Sequence, residues 1–283
     1  MKCKLIPFVA TILIATPVLH AQLSAPQGII FDTKGRLWVA NSSANNVQQI
    51  DPTSGNVLAT ITEGISNPTR LAFDAEGRVY VANESANTVT VYDANLTQCV
   101  GKTLTKFLSG PAGVVADAYG DVFVSNNQSN SVNAYNFDTY PVDRYEQDRS
   151  GFQFTAPNAL AIHGDRIYVS LGTGDGEDAV ISYNVGEFLT GDARERVFYT
   201  DGKNTGPTGI AFDAAGNVYV SEFYSNSWVK FDPSGKLLLV VSSGVLQPEG
   251  IAVDASGYVY VANATPNNIT VYNPSGQLTN TLH

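Results

Sequence analysis

One phrase recurs six times along this chain, and it limits the possible folds more than any other feature. Pro26-Gln27-Gly28-Ile29-Ile30-Phe31-Asp32 is followed by Gly35 and by Leu37-Trp38-Val39-Ala40-Asn41. It returns from Pro68 (Asp74, Gly77, then Val79 to Asn83), Pro111 (Asp117, Gly120, then Val122 to Asn126), Pro207 (Asp213, Gly216, then Val218 to Glu222) and Pro248 (Asp254, Gly257, then Val259 to Asn263). A weaker copy starts at Pro157 and carries His163 where the others carry Asp. Successive prolines stand 42, 43, 46, 50 and 41 residues apart, so the copies fill nearly all of the chain after its N-terminal segment. A period of this size marks an array of one supersecondary unit.

Each copy reads as four short strands. Ile29 to Asp32 is a mostly apolar run suited to burial on both faces. Asp32-Thr33-Lys34-Gly35 is a tight turn, because Asp bonds its own backbone and Gly accepts the left-handed conformation. Leu37 to Asn41, Val47 to Asp51 and Val57 to Ile61 follow, separated by a polar turn at Asn45 and by Asp51-Pro52-Thr53-Ser54-Gly55. Asp232-Pro233-Ser234-Gly235 and Asn273-Pro274-Ser275-Gly276 repeat that last turn. A four-stranded module cannot bury both faces alone, so the pattern predicts an all-β ring of antiparallel blades, with no helix of any length. The expected blades are about residues 25–66, 67–110, 111–155, 156–206, 207–247 and 248–283.

The pattern P-x-G-I-A-F-D-x-x-G-x-V-Y-V-A-N-x-x-x-N-x-V-x-V-Y-D resembles the NHL repeat, and six copies match its six-bladed β-propeller form. The resemblance covers about Ala25 to Leu282. Its pattern overlaps with the gluconolactonase (senescence-marker) propellers, the streptogramin lyases and the peptide-amidating lyases, so it implies architecture without choosing an activity. It also implies that the first strand of each blade lines a central channel.

Lys2 and Lys4 precede an almost wholly apolar run from Leu5 to Leu19, and Ala21 offers a small residue for cleavage. Residues 1–21 therefore read as a signal peptide ahead of one domain at 22–283, with an extracytoplasmic (periplasmic or secreted) destination. The run is short for a membrane span of about 20 residues and contains Pro7 and Pro17, so no transmembrane span is expected after cleavage. Loss of the two lysines takes the formal charge from −10 to −12, which disfavours nucleic acid as a partner. Only Cys99 would remain, so no internal disulfide holds the ring. The last copy supplies all four of its own strands, so closure is expected to rest on packing between the first and last blades. A monomer is expected.

Strand one lines the channel in such a ring, so residues just after each proline should surround one mouth. These are Gln27, Thr69, Arg70, Ala112, Asn158, Thr208 and Glu249. The second strands end at the same side with Asn41, Asn83, Asn126, Glu222 and Asn263, and the turn residues Asn45, Asn87, Asn130, Phe223, Tyr224 and Asn226 are expected on the wider rim. The repeated Asn also suits turn geometry, which is the stronger reading of it. Glu222 and Glu249 depart from the repeat; with Asn158 and Asn263 they form an oxygen-rich set that suits Ca²⁺. Gluconolactonase-like propellers bind a divalent ion in this way, so the resemblance implies a metal-dependent hydrolase as one alternative. Arg70 stands where four other copies have Gly and one has Ala, and reads as a surface arginine, with pairing to a carboxylate or clasping of an anionic ligand as its alternatives. The acidic, glycine-rich loop Gly172 to Asp178 and the segments Tyr140 to Phe154 and Gly186 to Lys203 read as insertions that individualise the surface.

The streptogramin and amidating lyases use histidine, whereas the chain past residue 21 has only His163 and His283. Cys99 lacks an evident His partner, and no nucleophile-elbow motif is present. The favoured reading is a binding or interaction module acting through the channel-mouth face. Its partner would be a protein, peptide, glycan or small molecule.

Overall fold

The computed structural model describes residues 20–96, 103–136, 144–146, 154–172, 178–191, 193–200 and 205–283. Residues 1–19, Cys99, most of the Gly172–Asp178 loop, most of Tyr140–Phe154 and a few residues of Gly186–Lys203 lie outside the described residues. Among the described residues, no helix is long and apolar enough to cross a membrane.

The chain forms a six-bladed β-propeller. Blade one is β1 (Pro26–Phe31), β2 (Leu37–Asn41), β3 (Asn46–Ile50) and β4 (Val57–Ile61), hydrogen-bonded in sequence order. Blade two is β5 (Pro68–Phe73), β6 (Val79–Asn83) and β7 (Thr88–Tyr92), with a Val89–Leu104 bridge at the fourth-strand position. Blade three is β8 (Pro111–Ala116), β9 (Asp121–Asn126), β10 (Ser131–Asn136) and the short β11 (Arg144–Glu146). Blade four is β12 (Pro157–His163), β13 (Arg166–Leu171), β14 (Ala179–Asn184) and β15 (Arg196–Thr200). Blade five is β16 (Pro207–Phe212), β17 (Val218–Glu222), β18 (Ser227–Phe231) and β19 (Leu237–Val241). Blade six is β20 (Pro248–Val253), β21 (Val259–Asn263), β22 (Asn268–Tyr272) and β23 (Leu278–Leu282).

The local chemistry of each blade follows its turns. Asp32 Oδ1 accepts the N–H groups of Lys34 (2.9 Å) and Arg36 (3.0 Å), while Gly35 takes a φ of 74°. Blade four lacks that Asp and turns more tightly: His163 pairs directly with Arg166 across Gly164-Asp165. One helix departs from the all-strand expectation. α1 (Val185–Thr190) is capped by Asn184, whose side chain accepts from Glu187 N–H, and is stopped by left-handed Gly191.

The blades are joined by one hydrogen bond repeated at all six junctions. Asn45, Asn87, Asn130, Asn226 and Asn267 each take a left-handed φ near 50° in the turn after the second strand. The side-chain oxygen of each accepts the backbone N–H of the residue before the next blade's proline: Asn67, Gly110, Ala156, Gln247 and, from blade six back to blade one, Ala25 (2.6 to 2.9 Å). Between blades four and five, Asp178 Oδ2 does the same for Gly206 (2.6 Å).

Apolar side chains fill the spaces between blades. At the seam between the last blade and the first, Ala252, Tyr260, Ile269 and Leu282 pack with Ala21, Leu23, Ile29 and Leu37, and the rings of Phe31 and Tyr260 meet edge to face at 4.9 Å. Among the described residues, neither terminal blade borrows a strand. Non-covalent packing and the Asn267 bond hold the ring closed.

Candidate functional site

The chemistry of the hub is set at the entrance of each first strand. Just after the proline the ladder to the second strand shifts register in every blade: Pro26/Ile29, Pro68/Leu71, Pro111/Gly113, Pro157/Leu160, Pro207/Gly209 and Pro248/Ile251. A bulge re-aims the residues it contains. The third residue of the phrase, which falls there, is Gly28, Arg70, Gly113, Ala159, Gly209 or Gly250. Small residues are needed because neighbouring blades nearly touch. A Cβ on Gly250 would collide with the Gln27 carbonyl oxygen, and one on Gly209 would sit 2.7 Å from that of Glu249.

Arg70 is the exception. Its neighbour Gly28 leaves the space, since a Cβ there would lie 2.8 Å from Arg70 Cα. Arg70 Nη1 donates to the Thr69 carbonyl (3.1 Å), and Nη2 donates to the carbonyls of Thr208 (2.8 Å) and Glu249 (3.3 Å). Nη2 also lies 3.6 Å from Glu249 Oε2. Blades two and five face each other across a six-membered ring, so this side chain spans the hub. It is 9% exposed, which corrects the expectation of a surface arginine and realises the pairing alternative. Burial pushes the Glu249 carboxyl above its ordinary range and the Arg70 guanidinium below its own, and each charge opposes the other's shift.

Behind this plug lies a cavity of about 360 Å³ walled by the first strands of all six blades. Ile29, Leu71, Val114, Leu160, Ile210 and Ile251 represent its walls, and among the described residues Arg70 is the one charged side chain lining it. At the proline end the third phrase residues are all buried. At the other end Phe31, Phe73, Ala116, Ile162, Phe212 and Val253 are all half-buried. The channel is thus closed beside Arg70 and open on the face of the Asp turns. The hub is a tube lined by apolar side chains and first-strand backbone, with one ion pair across its neck.

The second-strand asparagines are not on a solvent-facing mouth. Asn41, Asn83, Asn126 and Asn263 are fully buried, and their oxygens accept the N–H groups of Ser24, Ser66, Ser109 and Leu246 at 3.0 to 3.2 Å. These bonds fix the loop leading into each blade. Thr69 and Thr208 are buried too, and their hydroxyls donate to the carbonyls of Pro111 and Pro248 in the following blades. Gln27, Asn158 and Glu249 remain half-buried around the plug.

The four oxygen ligands expected for Ca²⁺ are held apart by different partners. Glu222 accepts from Tyr199 Oη (2.9 Å), Ser225 Oγ (3.0 Å) and Ser227 Oγ (2.7 Å), whereas Glu249 faces Arg70 and the Asn263 oxygen is taken by Leu246. Asn158 gives its backbone carbonyl to Ser125 Oγ. Among the described residues no group of three or more His, Cys, Asp or Glu side chains is placed to hold a metal ion. Glu222 turns toward blade four because adjacent strand residues point to opposite faces, and Ser221 beside it reaches the Glu249 carbonyl.

Tyr224 does stand on the proline-side face. It is 54% exposed, its ring covers Gly206, and Phe223 meets it edge to face at 5.3 Å. His163 lies toward the other end of the hub, stacked on Phe212 with ring centroids 4.7 Å apart. Its wall partner was hidden from the sequence, because the contact crosses between blades four and five.

No family model matches the chain, and no curated protein matches it. Solved structures do. Streptogramin B lyase is 14% identical with a TM-score of 0.65, covering 94% of this chain and 85% of that one. Virginiamycin B lyase from Staphylococcus aureus is 16% identical, with a TM-score of 0.69 and coverage of 93% and 87%. A chain of the nidogen/laminin complex is 15% identical, with a TM-score of 0.69 and coverage of 84% and 90%. The likeness is one of fold. It supports a propeller of the kind that the repeat phrase resembles.

Proposed function

We propose that this chain is an extracytoplasmic binding propeller that engages a peptide, protein or glycan through its proline-side face. The carrying observation is Tyr224, a half-exposed aromatic ring laid over Gly206, two residues from the Thr208 carbonyl that receives Arg70. Most polar groups that repeat around this face serve the fold, so the departures from the repeat carry the recognition. Tyr224 supplies apolar contact area with a polar tip, a combination favoured at binding hot spots. Gln27, Asn158 and Glu249 supply donors and acceptors beside the plug. The apolar segment preceding Ala21 is consistent with export. A similar propeller occurs in a complex of nidogen with laminin, a precedent for the fold in protein assembly.

The test is to screen the exported chain against peptide and glycan arrays and then repeat the best binder with Tyr224→Ala. Loss of at least about tenfold in affinity is expected, as for an aromatic hot spot. A ligand that tolerates Tyr224→Ala and maps to the outer edges of the blades would sink the reading.

A further inference from the structure

We propose that the central channel is a second binding site, entered from the Asp-turn face, for a small neutral molecule with an apolar body and one carbonyl or amide head. The volume, about 360 Å³, is within the range of small-ligand sites. From the third to the sixth phrase residue the wall runs three strand steps, or about 10 Å. A slender body of about eight carbons matches that depth.

The ends of the tube differ, and the difference sets the orientation. The open end is rimmed by Phe31, Phe73 and Phe212 with Ala116, Ile162 and Val253, all half-buried. This rim favours an apolar tail. The blind end holds Arg70. A guanidinium has five N–H donors, and three bonds are accounted for by Thr69, Thr208 and Glu249. Two donors are left unused among the described residues, on a side chain that lines the cavity and is nine-tenths buried. An acceptor brought to the blind end would satisfy them.

The head must be neutral. Glu249 already balances the Arg70 charge at 3.6 Å. A second carboxylate there would be desolvated beside Glu249 and lack a cation of its own. An amide carbonyl accepts from Arg70 at no such cost, and its N–H₂ can donate to the carbonyls on the free edges of the first strands. The blind-end geometry therefore selects amide over carboxylate.

Octanamide and octanoate are the probes, titrated calorimetrically into the exported chain. Octanamide is expected to bind one-to-one, with octanoate at least tenfold weaker. Ala116→Phe and Val253→Phe should each weaken octanamide at least tenfold, since Phe already occupies this phrase position in three other blades and narrows the entrance. Tyr224→Ala, on the other face, should leave octanamide binding unchanged, which separates this site from the proline-side one. No saturable binding by the unaltered chain, equal binding of octanoate, or full binding by an entrance variant that melts like the parent would each overturn the proposal.

Discussion

Asn267 and Asn45 hold the same turn position in different blades, and each secures the blade that follows it. Asn tolerates the left-handed backbone that this position takes, and its oxygen reaches the next blade. Asn267→Ala should therefore lose the closing hydrogen bond and strain the turn, costing about 1–3 kcal/mol in a urea unfolding titration. Asn267→Gly should lose only about 1 kcal/mol, because glycine relieves the backbone and forfeits the bond alone. No loss in Asn267→Gly would mean that the bond across the seam contributes nothing. Glu249 gives a second test. Burial raises its carboxyl above the unfolded value, with Arg70 opposing. A group raised in this way favours the fold below the unfolded pKa and loses that contribution as pH climbs through the folded one. Glu249→Gln should thus gain stability relative to the parent as pH rises from about 4 to about 7, read from urea midpoints. Parallel curves would refute the shift. Asp213 has the opposite sign: burial works to raise it, but bonds from Asn217 and Tyr219 and the Lys230 charge hold it below its ordinary value, so its contribution fades as pH falls. At this scale the sequence singled out Arg70 and Glu249 as breaks in the repeat. It did not reveal their union, because a bulge re-aims Arg70 and its partners come from blades five and six.

Strands were the most legible elements. Val79-Tyr80-Val81-Ala82-Asn83 and its siblings combine β-branched, aromatic and small residues between strong turn signals, and each formed the second strand expected of it. α1 was missed although its signals were present: Asn184 with Glu187 three residues on, then Gly191. They sit inside an insertion that interrupts the repeat, where the period gives no guide. The fourth strands carry less information because they pack on one side only. β19 illustrates the consequence, since it is the outer edge of blade five and leaves Leu237, Leu238 and Val240 about half exposed. An apolar strand with an unpaired edge is a template for wrongly pairing with another chain. Val240→Lys should reduce light scattering on warming while changing unfolding free energy by less than about 0.5 kcal/mol, as expected for a surface position. A loss of several kcal/mol would place Val240 in the packing instead.

The whole ring closes where its two ends converge on one turn. Ala21 N–H donates to the Gly55 carbonyl at 3.0 Å, and Leu282 packs within 4 Å of where a Gly55 side chain would begin. Joining His283 to Ala21 through a short Gly/Ser linker, and reopening the chain in the exposed Ser234–Gly235 turn, should leave the propeller intact. Its unfolding free energy should fall by no more than about 2 kcal/mol, because the cut lies in a solvent-exposed turn. Loss of the β circular-dichroism spectrum would show that folding depends on the native order of the blades. The number of blades was legible from six prolines. The nature of the hub was not, because its walls are assembled from six distant strands. Arg70 has one more consequence at this scale. Six near-copies joined by interchangeable clasps carry no angular origin, and any module could start the wheel in a wrong neighbourhood. A single spoke, paired with the Glu249 carboxylate at 3.6 Å, gives the wheel an index mark. Only one placement of these two modules brings the pair together at the axle.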